Sequence, residues 1–179
     1  MSEVNWWESS PEMTIYYESE WGFPEHNDQK LFEILSLEIM QAGLSWNTVF
    51  KKRANFRQAF YDFEIKKVAA MTSTDIDRLM GNPGLIRHRQ KLAAIINNAQ
   101  MIQKFQQAGQ SFDHFVWQSV NFQVINHHPQ TMAEVPTVIF EAKQLAKQLK
   151  KAGFKFVGPT TCYSFMQAAG LVCDRINFP

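Results

Sequence analysis

One carboxylate stands where its helix asks for an aliphatic side chain. Between Leu31 and Phe50 the chain reads LFEILSLEIMQAGLSWNTVF, with Leu31, Ile34, Leu35 and Ala42 at the spacing of one buried stripe, and Glu38 falls on that stripe. A buried, unpaired charge costs on the order of several kcal/mol, so Glu38 must be paired, protonated or turned toward a cavity. Gly43 relaxes the backbone at the end of the helix, and Leu44 and Trp46 follow at the turn. An acid, a large aromatic ring and a glycine therefore sit close together. Two readings stay open: a core glutamate satisfied by local hydrogen bonds beside a core tryptophan, or a functional acid beside a ring of the kind that suits stacking.

A second group lies near the C-terminus, in GFKFVGPTTCYSFMQAAGLVCD from Gly153 to Asp174. A helix ending at Gly153, a tight turn closing at Gly158 and a second helix from Pro159 form a helix-hairpin-helix pattern. The orphan N–H groups at such a helix start can grip a DNA phosphate, and Lys151 and Lys155 add positive charge. A structural hairpin without a ligand has the same pattern. Arg87, His88, Arg89 and Lys91 crowd the start of another helix, either as phosphate contacts or as a solvated end. Adjacent His127 and His128 lack further ligand residues at metal spacing, which predicts a surface loop. Cys162 and Cys173 form no CxxC pair and read as reduced core residues.

The elements that must position these groups are helical. With 179 residues the chain can fill one core, and a division into two small helical lobes is within reach. Hydrophobic residues at 45% and charged ones at 20% exclude a disordered chain, and a net charge of +1 excludes an overall polybasic binder, leaving room for local basic patches only. No apolar run is long enough to span a bilayer, and Met1–Asn5 has no export signal, so a cytoplasmic location is expected.

Residues 1 to 26 read as an irregular, ring-rich segment (Trp6, Trp7, Tyr16, Tyr17, Trp21, Phe23) that packs on the body and lines something. Helices are predicted from Asn27 or Asp28 to the Gly43 turn, over 47–60 with a basic face of Lys51, Lys52, Arg53 and Arg57, and over 62–70 and 72–79. Further ones follow over 87–106, 111–120, 137–151 and from Pro159. No repeat and no β-hairpin signal appears, and the fold class is all-α.

Three stretches together resemble one family: YYESEWGFP from Tyr16 to Pro24, KLFEILSLEIMQAGLSWNTVFKKRANFRQAF from Lys30 to Phe60, and GFKFVGPTTCYSFMQAAGLV from Gly153 to Val172. With LIRHRQKL between them, they are similar to the 3-methyladenine DNA glycosylase I family of the helix-hairpin-helix superfamily. The resemblance implies a single glycosylase domain over 1–179, with the two terminal segments forming one lobe, the central helices the other and a cleft between them. It implies excision of N3-methylated adenine from duplex DNA without a lyase step, and a monomer acting on alkylated DNA with no membrane partner. The methylated base is cationic and departs as a neutral molecule, so no strong general acid is required once the base is flipped out and held.

On this resemblance Glu38 and Tyr16 carry the catalytic role, Trp46 and Trp21 join them in binding the base, and Gly43 and Leu44 present the wedge that fills the vacated stack. Lys155, Val157, Gly158, Arg87 and Arg89 are the expected DNA contacts. Thr160 and Thr161 stand where lyases of the superfamily carry a lysine nucleophile. Asp174 lies near the catalytic aspartate of other superfamily members, but this family is understood to act without that carboxylate. Several members hold a structural zinc through two cysteines and two histidines, whereas the matching positions here are Val4, Tyr17, Arg175 and Pro179. No cofactor is therefore expected, with the termini held by packing around Trp6, Trp7 and Tyr17. Met13 stands where an aromatic is common in relatives, and Phe156 takes the place of the first glycine of the usual hairpin GxG, as the family tolerates. A paralogue that binds alkylated DNA without efficient excision, and a helical interaction protein reusing the scaffold, are the alternative readings.

Overall fold

The structure, a computed structural model, describes residues 4–179. Met1, Ser2 and Glu3, part of the segment read for export signals, lie outside the described residues. Among the described residues ten α-helices carry the fold, and none of them is long and apolar enough to cross a membrane.

Helix α1 spans Pro11–Ser19, α2 Asp28–Gln41, α3 Trp46–Phe50, α4 Arg53–Ala59, α5 Ile65–Ala69 and α6 Ser73–Met80. Helix α7 spans Arg89–Gln107, α8 Phe112–Trp117, α9 Phe140–Lys151 and α10 Pro159–Ala168. Helix α2 is the central one: Leu31, Phe32, Leu35, Ile39 and Met40 are fully buried, and it touches α3, α7, α8 and α10. It starts at Asn27, whose side-chain oxygen accepts the Lys30 N–H at 3.1 Å. Asp28, in the first turn, uses its own carboxylate to receive the N–H groups of Phe112 and Asp113 at 3.0 and 2.8 Å. It thereby satisfies orphan donors at the start of α8 and ties two helices at their ends.

One contiguous apolar core runs from Leu31 to Val172, filled by the stacked rings of Phe56, Phe60 and Phe63 on one side and Phe112, Phe154 and Phe165 on the other. Two departures from the sequence reading occur near the N-terminus. The first segment is helical: Ser10 accepts the Met13 N–H and Pro11 takes the first helical position, so the rings of Tyr16 and Tyr17 are presented from a rigid α1. The helix expected over 47–60 is two, broken at Lys51 and Lys52.

The segment expected to be a polar loop after Val120 contains a two-residue strand, β1 (Ile125–Asn126), which pairs in parallel with β2 (Val172–Cys173). This small bridge places the chain beyond α10 beside His127. His127, expected in a surface loop, is half-buried instead, and its Nδ1 meets Asp174 at 2.6 Å.

Candidate active site

Helix α2 delivers Glu38 into a cavity of about 290 Å³. Its other walls are Trp6, Trp21, Gln41 and Trp46, with Ser164 and Gln167 from α10. Glu38 Oε2 is fully buried and accepts no hydrogen bond, and the Trp46 Nε1 donor is equally unpartnered. Burial by itself pushes the Glu38 carboxyl up to about 8, because no cation nearby compensates for lost water. An unpaired acid facing indoles costs stability unless a donor or a positive charge enters the cavity.

The aromatic walls are braced from behind. Trp6 meets Trp21 edge to face at 5.4 Å, and Tyr17 lies stacked between Trp7 at 4.0 Å and Trp21 at 5.3 Å. From the C-terminal tail, Arg175 Nη1 donates to the main-chain oxygens of Tyr17 and Trp21, both at 2.5 Å, and its guanidinium sits 4.3 Å over the Tyr17 ring. Tyr17 in turn accepts the Ile176 N–H through its hydroxyl. Gly22, at φ +83°, lets Arg175 pass, since a Cβ there would stand 3.0 Å from the arginine Cγ. The termini are thus joined by the expected ring packing and by a buried arginine that sequence reading had not placed.

Tyr16 lies on the other side of Trp46, at 5.7 Å between ring centres. It lines a larger, separate cavity of about 430 Å³ along with Trp46 and Arg53, while Glu38 and Trp21 line the smaller one. Burial, and secondarily the Glu38 charge, hold its hydroxyl well above the usual tyrosine range, so it remains a hydrogen-bond donor. Arg53 and Arg57, predicted on a basic face, instead turn inward to Glu33, at 3.2 and 2.7 Å, and Arg53 also reaches Glu20 at 2.6 Å. Arg53 braces the side of Tyr16, its guanidinium 5.6 Å from the ring centre, and both arginines are paired rather than offering free charge.

Past the end of α2, Gly43 adopts φ +82° and Leu44 projects with 41% of its surface exposed. Lys91, grouped by sequence with the solvated cations of α7, is buried and donates Nζ to the carbonyls of Met40 at 3.2 Å and Ala42 at 2.7 Å. It caps the C-terminus of α2 from a neighbouring helix and so fixes the Leu44 turn. Burial lowers its affinity for the proton. Arg89 is engaged with Asp77 at 2.5 Å, and Arg87 is exposed.

The hairpin between α9 and α10 forms where the sequence placed it. Gly153 takes φ +98° and Gly158 caps α10, while Phe156 adopts φ +59° despite its side chain. Asn98 of α7 pairs with both main-chain groups of Lys155, receiving its N–H at 2.9 Å and donating to its carbonyl at 3.1 Å, and Asn97 donates to the Gly153 carbonyl. Lys155 is exposed, whereas the Val157 side chain is buried and leaves only its main chain for any outside contact. Among the described residues no three His, Cys, Asp or Glu side chains gather as a metal site.

Of the residues read from sequence, the structure brings Glu38, Trp46 and Trp21 to one cavity and sets Tyr16 against its wall. Trp6, read from sequence only as one of the rings that line something, is a wall as well, whereas Gln41, Ser164 and Gln167 were missed. Ser164 and Gln167 share a face at i, i+3 on α10, but uncharged polar residues on a helix carry no sequence signal of their own.

The sequence pattern of the methyladenine glycosylase family matches residues 6–178. The chain is 48% identical over 176 residues to DNA-3-methyladenine glycosylase 1 of Escherichia coli, covering 98% of this chain and 94% of that protein. It is 51% identical over 162 residues to DNA-3-methyladenine glycosylase of Haemophilus influenzae, covering 90% and 88%. In three dimensions it is similar to a crystal structure of the Y16F variant of 3-methyladenine DNA glycosylase I in complex with 3-methyladenine, with a TM-score of 0.94 and 42% identity over 100% of this chain and 96% of that one.

Proposed function

The chain belongs to the methyladenine glycosylase family, and on that premise we propose that it hydrolyses the N-glycosidic bond of 3-methyladenine in alkylated DNA. The observation that carries the reading is the Glu38 carboxyl, buried, unpartnered and facing a cavity walled by Trp6, Trp21 and Trp46. A cationic purine supplies what that wall lacks. Its positive ring lies against indole faces, and its amino edge gives the carboxylate a charge-assisted hydrogen bond. Normal adenine, uncharged and firmly bonded to its sugar, gains less from either contact.

To enter the cavity the base must leave the duplex. Leu44 fills the vacated stack from the turn that Lys91 fixes, the N–H groups around Gly158 receive a backbone phosphate, and Lys155 and Arg87 add charge near the strand. Arg89 contributes only once it releases Asp77. Because the leaving base needs no strong acid, Glu38 acts by holding and polarising it while water takes the sugar carbon, and Tyr16, expected from sequence to touch the base, instead acts through the Trp46 ring that it packs against. The reaction is hydrolysis alone: Thr160 and Thr161 stand where lyases of the superfamily carry a lysine nucleophile, and among the described residues none that lines the cavity carries an amine that could form a Schiff base with the sugar. We propose that the protein works as one domain and as a monomer.

Zinc has no part in this reading. Of the four positions where relatives carry zinc ligands, Val4 is aliphatic, Pro179 has no donor side chain, and Tyr17 is stacked under the guanidinium of Arg175. That donor set does not fit the ion.

The deciding experiment incubates the protein with methylated duplex DNA and separates the released bases. Free 3-methyladenine released by the wild type, and much less by Glu38→Gln of unchanged fold, is the expected result. No free base from a folded wild-type protein overturns the proposal.

A further inference from the structure

From the structure we infer that Gln167 is a specificity-determining residue of the base cavity: its side-chain carbonyl receives the amino group of the bound purine, and Asp174 positions it. The inference rests on the reading of the Glu38 cavity as the base pocket. Gln167 lines that cavity from α10, a helix packed against the one that carries Glu38. Its Nε2 donates to Asp174 Oδ2 at 2.8 Å. An amide has one donor end and one acceptor end, so the end that meets the carboxylate decides what the other can do.

Asp174 leaves no freedom in that choice. Its side chain is wholly buried, and it is engaged from three directions: His127 Nδ1 at 2.6 Å on Oδ1, and the Tyr163 hydroxyl together with Gln167 on Oδ2. The Tyr163 hydroxyl is held far above its usual range by burial and by the Asp174 charge, so it is always a donor there. A flipped Gln167 would set its carbonyl against a carboxylate oxygen, two acceptors with no proton between them. The amide is therefore fixed with N–H toward Asp174 and the carbonyl oxygen left for a ligand. Asp174, His127 and Tyr163 do not line the cavity and act through Gln167, while the β1–β2 bridge sets Asp174 beside His127.

An acceptor at this wall distinguishes the two N3-methylated purines. Adenine presents an amino donor at its sixth ring position, and guanine presents a carbonyl there, which would face the Gln167 oxygen unpaired. The test measures release of 3-methyladenine and 3-methylguanine from the same methylated DNA by the wild type, Gln167→Met, Asp174→Asn and Tyr163→Phe, with folding followed by circular dichroism. Gln167→Met is expected to lower 3-methyladenine release about tenfold or more, the worth of one hydrogen bond to a charged group, while 3-methylguanine release stays level or rises. Asp174→Asn, whose amide can turn either end to Gln167, is expected to narrow the ratio of the two bases in the same direction. Tyr163→Phe serves in its place if Asp174→Asn does not fold, with a smaller change of the same sign. Equal losses for both bases, or an unchanged ratio in Gln167→Met, overturn the specificity role. A changed ratio in Gln167→Met with a wild-type ratio in the folded Asp174 or Tyr163 variant overturns the positioning role. A folded wild type that releases neither base refutes the glycosylase reading itself, a result separate from both.

Discussion

Replacing Glu38 by Gln should make the folded protein relatively more stable as the pH rises. The folded carboxyl releases its proton at about 8, whereas the group exposed on unfolding does so near 4.5. Between those values the unfolded chain is ionised and the folded one still holds its proton, so stability falls with rising pH by about 1.4 kcal/mol per unit and levels off above the folded value. From about pH 6 to about pH 8 this amounts to roughly 2 kcal/mol, slightly less than two full units because the folded group is itself half ionised at the upper end. The amide that replaces the carboxyl in the variant does not titrate. All other groups are shared, so their contributions cancel in the difference between the two proteins. Urea unfolding at both pH values reads it directly: with a slope of about 2 kcal/mol per molar, the gap between the midpoints should shift by about 1 M in favour of the variant. Midpoints that move in parallel would refute the claim that this carboxyl is buried without a partner. The same substitution should slow base release, which separates what the acid costs the fold from what it gives the reaction.

Leu44→Ala should weaken binding to damaged duplex more than to the same lesion in a single strand, measured by titration of labelled DNA, and equal losses would remove the wedge role. Lys91→Met should lower stability by about 2 kcal/mol through two orphaned carbonyls at the end of α2, and should weaken duplex binding without changing the affinity for free base. Gly43→Ala should cost roughly 1 kcal/mol, since its φ is +82° but no atom stands within 4 Å of the added Cβ. Gly170→Ala should fail to fold, because its Cβ would lie 2.3 Å from the main chain of Phe23, and thermal melting distinguishes the two.

What was legible in the sequence followed one kind of signal. Glu38 was found because a charge interrupts an apolar stripe, and the hairpin because Gly153, Gly158 and Pro159 punctuate it. Lys91 and Asn98 carried the same signal as Glu38: with Ile95 and Ile102 they share one face of α7, and both are buried there to hold main-chain groups of other segments. Lys91 was instead grouped with Arg87 and Arg89 by charge, which hid its position on the face. Helix α1 had a start signal in Ser10-Pro11, outweighed by the density of rings and by exposed Ile15, which blurs its apolar face. The break at Lys51 and Lys52 has neither glycine nor proline to announce it. His127 and Asp174 are 47 residues apart, and only a two-residue strand pair joins them. No periodicity encodes such a contact.

The reach of Arg175 back to Trp21 ties the indole of the cavity wall to the last few residues of the chain. A protease cutting just after Asp174 would remove no helix, since α10 ends at Ala168, yet it would strip the guanidinium from the carbonyls of Tyr17 and Trp21. Tryptophan fluorescence would then register the clipped ends of an ageing preparation while its far-ultraviolet spectrum stayed intact.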